Sequence, residues 1–266
     1  MSTNIPDIII PLLNEYVRKL KTELGNIFYG LYLYNSIALG AFDYKKSDID
    51  FVVILKKDFS IQDVHRLEFI HKGLLKKYPY AKKMEGMYIP FESIGKSNEE
   101  IKPYFFIANS KLHLQGPGYY DINYITWWTL KYNGIAFDSP GIKTLHIDVT
   151  WENLLETLEY NLNVYWKSKL QKNFIFLIDS YIEFSIMTLC RILYTLKNKT
   201  IISKSDSIQF AIKILPSKFH LILKESLRIR EDISKASLFR SRIKRAKDAK
   251  ELIEYIIEYC NFKYKL

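Results

Sequence analysis

Two runs of β-branched, aromatic and aliphatic residues, 27–34 and 51–55, bracket a turn-rich segment and set the character of the first half of this chain. The first run ends in Tyr34-Asn35-Ser36-Ile37-Ala38-Leu39-Gly40, and the second is headed by Ser47-Asp48-Ile49-Asp50. A turn and a serine therefore close one strand, and two carboxylates open the next. Asp48 and Asp50 are separated by two positions, so on a strand both side chains leave the same face.

Around this pair the hydrophobic spacing outlines a small α/β core. Residues 6–24 read as an amphipathic helix with Ile9, Leu12, Leu13, Tyr16, Leu20 and Leu24 on one face. Residues 36–40 suit the start of a short helix, 60–77 a second amphipathic helix, and 83–90 a third strand. Weaker strands are expected at 104–106 and 112–114. A helix at 125–131 is ended by Asn133-Gly134, and Ser139-Pro140-Gly141 marks a turn. From Thr150 onward the pattern changes to long helical periodicity over 150–170, 174–196, 203–215, 217–229 and 233–259. The expected fold class is α+β: a mixed sheet flanked by helices in residues 1–148, then an all-α bundle in 149–266.

With 266 residues and 48% hydrophobic content, the chain can build cores for both parts. The longest apolar helix is interrupted by Asp179 and Glu183, which argues against a membrane span. The N-terminus has no signal-peptide pattern. Cys190 and Cys260 fall inside helical patterns at no redox or metal-ligand spacing, as buried thiols of a reducing compartment. A cytoplasmic protein is expected, with no membrane partner. The charge is uneven. Residues 151–266 carry 21 Lys/Arg against 13 Asp/Glu, whereas residues 1–150 carry 18 against 16. A basic excess favours anionic partners such as nucleotides. No recognition helix or stacking platform accompanies the cluster at 240–250, so nucleic acid is not the expected partner.

The acid pair suits Mg²⁺, which is usually held by one or two carboxylates together with substrate phosphates. Nucleotidyl transfer needs such metal-holding acids, a hydroxyl and backbone N–H groups for the triphosphate, and a base for the incoming hydroxyl. Asp48 and Asp50 answer to the first, Ser36 to the second. Glu85, within Met84-Glu85-Gly86-Met87-Tyr88-Ile89-Pro90, is the candidate third carboxylate on a neighbouring strand.

Residues 32–55 resemble the nucleotidyltransferase core of the polymerase-beta superfamily, whose usual form is a Gly-Ser turn followed by Asp-x-Asp. The whole chain resembles, more narrowly, the bacterial streptomycin/spectinomycin adenylyltransferase family. The likeness extends to Gly134-Ile135-Ala136-Phe137 with Ser139-Pro140, similar to the family's interdomain crossing. It continues in Leu189-Cys190-Arg191-Ile192-Leu193-Tyr194, Ile202-Ser203-Lys204-Ser205, Ala211 and Leu215-Pro216. The resemblance implies an ATP- and Mg²⁺-dependent enzyme working between two domains on a drug hydroxyl. By position, Asn35, Ser36, Ser47, Asp48 and Asp50 fall to the triphosphate and metal, Glu85 to the base, and Arg191 and Lys204 to the phosphates. Asn35 departs from the pattern, standing where the family has glycine. Asparagine tolerates left-handed backbone, so the turn is expected to survive with slower turnover.

Aminoglycoside-like acceptors are cations and call for acids. Asp179 and Glu183, i and i+4 on one helix, are the candidates, with Arg191 on the same stripe through Met187. Trp127 and Trp128 suit core packing better than a cleft wall. Two other readings stand beside this one: the same chemistry on another small molecule, a protein or RNA, and a catalytically weakened nucleotide-binding protein.

Overall fold

The computed structural model of the chain describes residues 5–97, 99–115 and 122–266. It divides into two compact units, Met1–Thr150 and Trp151–Leu266.

In the first unit, α1 (Ile10–Leu24) opens with proline in its first turn and buries Leu12, Leu13, Tyr16, Val17, Leu20 and Leu24. It leads into β1 (Phe28–Leu33), the one-turn helix α2 (Asn35–Ala38) and β2 (Ile49–Leu55). Helix α3 (Ile61–Lys77) starts at a capping box in which the Ser60 and Asp63 side chains each bond the other's backbone N–H. Then follow β3 (Met84–Pro90), β4 (Tyr104–Ala108) and β5 (Lys111–Gln115). The β4–β5 turn places Asn109 and Ser110 at φ +51° and +63°, the left-handed pair that matches hairpin twist. Helix α4 (Tyr124–Asn133) is capped by the Asn123 side chain and stops at Gly134.

With β6 (Ile135–Phe137), the strands of the described residues form one mixed sheet in the order β5-β4-β3-β2-β1-β6. Only β2 and β3 pair in parallel, consistent with α3 crossing between them. Strand β6 adds antiparallel to β1, so the segment read as a crossing also edges the sheet. Ile49, Phe51, Val53 and Leu55 enter the core shared with α1 and α3, leaving Asp50 on the other face. Trp127 is fully buried and Trp128 nearly so, as core packing requires.

A polar network lies within that core. Tyr16 and Tyr88 hydroxyls are 2.5 Å apart, and His71 Nε2 lies 2.5 Å from the Tyr88 oxygen. Burial alone drives the His71 pKa down to about 3, so the ring is neutral.

The second unit is helical: α5 (Trp151–Tyr160), a π-helical stretch Asn161–Trp166, α6 (Lys167–Leu170), α7 (Asp179–Asn198), α8 (Lys204–Ile214), α9 (His220–Glu231) and α10 (Arg242–Tyr264). Reciprocal amide bonds of 2.8 and 3.0 Å join Asn163 to Asn261, tying the π stretch to α10. Two expected helices begin later than their periodicity suggests. Residues 173–177 form a 3₁₀ segment before α7. Residues 232–241 form an irregular link before α10, because Ser234 and Ser237 side chains take the N–H groups of Ala236 and Phe239. Among the described residues, no helix is long and apolar enough to cross a membrane.

Candidate active site

Sheet register assembles the acids of the first unit. Asp50 is the direct partner of Glu85 across the parallel β2–β3 pair. Neighbouring strands lie about 4.8 Å apart, and paired residues share a face, so the two carboxylates are adjacent. Asp48, two residues before Asp50, stands exposed ahead of the strand.

The serine turn reaches the same place through β1. Tyr34 N–H donates to Asp50 O at 3.2 Å, extending the β1–β2 ladder to the head of β2. The chain then enters α2 through Asn35 at φ +50°. That is the backbone freedom a glycine ordinarily supplies, here taken by asparagine. Ala41 N–H returns to Ser36 O at 2.8 Å and closes the turn. The Ser36 hydroxyl is buried and has no hydrogen-bond partner among the described residues. A buried hydroxyl without a partner is uncommon, and one beside paired acids suits a bound polar group.

The loop before Asp48 is built from within. Asp43 N–H donates to Ser47 Oγ at 2.9 Å, and Asp43 Oδ1 accepts from Lys45 N and Lys46 N at 2.7 and 3.1 Å. Ser47 is 4% exposed, so its hydroxyl serves the loop.

Among the described residues, no group of three or more His, Cys, Asp and Glu side chains is gathered as a metal cage. Two strand-head carboxylates beside an open serine turn are nonetheless a donor set that fits Mg²⁺ arriving with a triphosphate. That ion dehydrates reluctantly and takes few protein ligands.

In the second unit, Arg191 on α7 donates from Nε to Ile202 O at 3.0 Å, which brings it to the start of α8. Lys204 is the first residue of α8, after the Ser203 cap that accepts from Asp206 N. Helix electrostatics favour an acid at that position.

Residues 165–258 match the family described as aminoglycoside adenylyltransferase, C-terminal domain. The matched residues all lie within the second unit. That family is one of nucleotidyl-transferring enzymes. The chain is also similar to the spectinomycin adenyltransferase AAD(9) from Enterococcus faecialis, whose crystal structure was determined with ATP and spectinomycin. The likeness has a TM-score of 0.65 at 14% identity and covers 93% of this chain and 97% of that one. At that identity it establishes a shared fold: a mixed sheet with helices, followed by a helical region. No curated protein matches the sequence.

Within the second unit, the two acids expected to face a drug are both engaged by arginines. Asp179 accepts from Arg245 Nη2 at 2.6 Å and pairs with Arg228 at 3.8 Å. Glu183 pairs with Arg230 at 3.2 Å. Behind Asp179 lies a node centred on Glu225, which is fully buried. Its carboxylate accepts from Arg228 Nε and Nη2 at 2.8 and 3.0 Å, Arg245 Nη1 at 3.1 Å, Ser237 Oγ at 2.7 Å and Leu238 N at 2.9 Å. Burial pushes the Glu225 pKa up, but these donors outweigh it and hold the group at about 2. Glu225, Arg228 and Arg245 are buried, and the exposed Asp179 at their edge brings the four charges to balance.

Sequence reading missed Lys83, Asp43 and the Glu225 node. Lys83 carried a signal, standing two positions before Glu85 at the head of a strand. The node carried none, since its members come from α7, α9 and α10.

Proposed function

We propose that this chain is an ATP-dependent nucleotidyltransferase that moves AMP onto a hydroxyl of an aminoglycoside-like antibiotic, of spectinomycin or streptomycin type, and so confers resistance. The observation that carries the reading is the register of Asp50 against Glu85, with the Asn35-Ser36 turn joined to the same strand head by the Tyr34–Asp50 bond. The family match over residues 165–258 supports it, as does the ATP and spectinomycin held by the structurally similar AAD(9).

In this reading Asn35, Ser36 and the Ser47 loop cradle the triphosphate, and Asp48 and Asp50 hold Mg²⁺. When bound, Mg²⁺ offsets phosphate charge at the α-phosphorus. Glu85 takes the proton of the acceptor hydroxyl, whose oxygen bonds to the α-phosphorus as the α–β phosphoanhydride bond breaks and pyrophosphate leaves. Arg191 and Lys204 bind phosphate oxygens, a role suited to their N–H donors. Asp179 and Glu183 receive the ammonium groups of the drug. The reaction belongs in the cytoplasm, where ATP is supplied and the buried Cys190 and Cys260 stay reduced.

One observation favours a second acceptor class. Asp179 and Glu183 would each have to exchange an arginine for the drug's cation. A less cationic small molecule, a protein or an RNA would not ask that of them. One assay separates the readings: pyrophosphate release from ATP and Mg²⁺ across a panel of aminoglycosides. Release with spectinomycin or streptomycin alone upholds the first, and release with none of the panel overturns it. Calorimetric binding of Mg·ATP without turnover on any acceptor would instead identify a weakened nucleotide-binding protein.

A further inference from the structure

Lys83 grips the peptide that delivers Asp48. It is the last residue of the turn Pro79–Lys83 and immediately precedes β3. Its Nζ donates to Lys45 O at 2.7 Å and to Ser47 O at 3.2 Å. Both carbonyls belong to the loop that Asp43 organises from the inside, where Ser47 N–H also returns to Asp43 O at 2.9 Å. The loop is thus held by a carboxylate within and an ammonium from the turn that leads into β3.

The Ser47 carbonyl and the Asp48 N–H share one planar peptide unit. Fixing the oxygen of that plane fixes the backbone orientation from which the Asp48 side chain departs. Two residues beyond Lys83, Glu85 stands opposite Asp50. A single stretch of chain, 83–85, therefore sets both members of the acid pair relative to Glu85: Asp50 by strand register, Asp48 by the ammonium. Holding a lysine stem in one geometry costs rotamer entropy. A lysine serving only solubility would leave its head in water. Lys83 is half-buried and spends two donors on backbone oxygens.

We propose that Lys83 is a positioning residue of the nucleotidyl-transfer site, presetting Asp48 for Mg·ATP through the Lys45 and Ser47 carbonyls before nucleotide arrives. This rests on the function proposed above.

The test compares wild type, Lys83→Met and Lys83→Arg by calorimetric Mg·ATP titration and by amide hydrogen exchange of the nucleotide-free proteins. Methionine keeps an unbranched stem and removes the donors. The expected result is a loss of Mg·ATP affinity of about 10-fold or more, the scale seen when partners behind metal ligands are removed. Loop amides at residues 45–48 exchange faster, while Tm stays within about 3 °C of wild type. Arginine restores most of both. Equal Mg·ATP affinity and unchanged loop exchange in Lys83→Met overturn the proposal while wild-type binding leaves the function reading standing. A large fall in Tm without rescue by arginine assigns Lys83 to stability alone and also overturns it. Wild type that binds no Mg·ATP overturns the function reading itself, and this assignment with it.

Discussion

The ring of Phe51 occupies the space that a β-carbon on Gly86 would need. The two are direct partners in the parallel β2–β3 pair, one position beyond Asp50 and Glu85, and Phe51 is fully buried. Glycine is required here by contact and not by backbone angle. Gly86→Ala is expected to destabilise the protein by roughly 1–3 kcal/mol through overpacking, read as a lower urea midpoint. The ring can yield only by spreading the strands that hold Asp50 beside Glu85, so Mg·ATP affinity should fall with it. An unchanged midpoint would show slack in the core at this point.

Glu85→Gln preserves size, exchanges one carboxylate oxygen for an amide NH₂ and removes the proposed base. Turnover should drop by about 10²–10⁴-fold, the usual contribution of a positioned base, while calorimetric Mg·ATP affinity stays within a few-fold. Unchanged pyrophosphate release would move the base to another carboxylate, Glu92 being the next on that segment.

The features legible beforehand are those written in local periodicity. The helical stripe of α1 named all of its buried residues but Val17. Asn35 was readable as the left-handed position because few side chains tolerate φ +50°. What stayed hidden depends on partners distant in sequence. Nothing in 135–137 distinguishes an edge strand from a crossing, since three residues carry no period. The late start of α10 follows from Glu225 and two serines drawing the 232–241 link out of helical pattern. The arginines on Asp179 and Glu183 come from α9 and α10, partners that the α7 stripe alone does not show.

His71 makes the first unit sensitive to mild acid. Its pKa is lowered from 6.5 to about 3 in the folded chain, so below pH 6.5 the unfolded chain binds a proton that the folded chain refuses. Stability is therefore complete above pH 6.5 and declines as pH falls toward 3. The slope is about 1.4 kcal/mol per pH unit, or about 2 kcal/mol between pH 6.5 and 5. Urea melts at the two pH values check this, with His71→Phe as the control that should flatten the slope. An equal pH dependence in the variant would place the sensitivity elsewhere.

Glu225 predicts a different acid range. Its carboxylate, ordinarily near 4.5, is held at about 2, so its contribution is present above 4.5 and is lost as pH falls toward 2. Glu225→Ala strands Arg228 and Arg245 without their shared anion and should cost about 3–5 kcal/mol. It also releases Ser237 and Leu238, and trypsin should then cut at Lys235 or Arg240 faster than it does in wild type. Resistance to trypsin in a folded variant would show that the link is held by other contacts.

Asn35→Gly tests whether the departure from the family turn carries a cost. The asparagine already holds φ +50°, so glycine relieves a modest conformational strain and removes a side chain that the proposed site sets beside the triphosphate. Against this, glycine adds freedom to the unfolded chain, which lowers stability by roughly 0.4–1 kcal/mol where the native angle suits both residues. The expected outcome is a nearly unchanged urea midpoint, Mg·ATP affinity equal to or tighter than wild type, and faster pyrophosphate release. Clearly weaker binding would mean that the Asn35 amide makes a useful contact with the nucleotide, and the substitution would then be an adaptation of this enzyme's turn and not a defect in it.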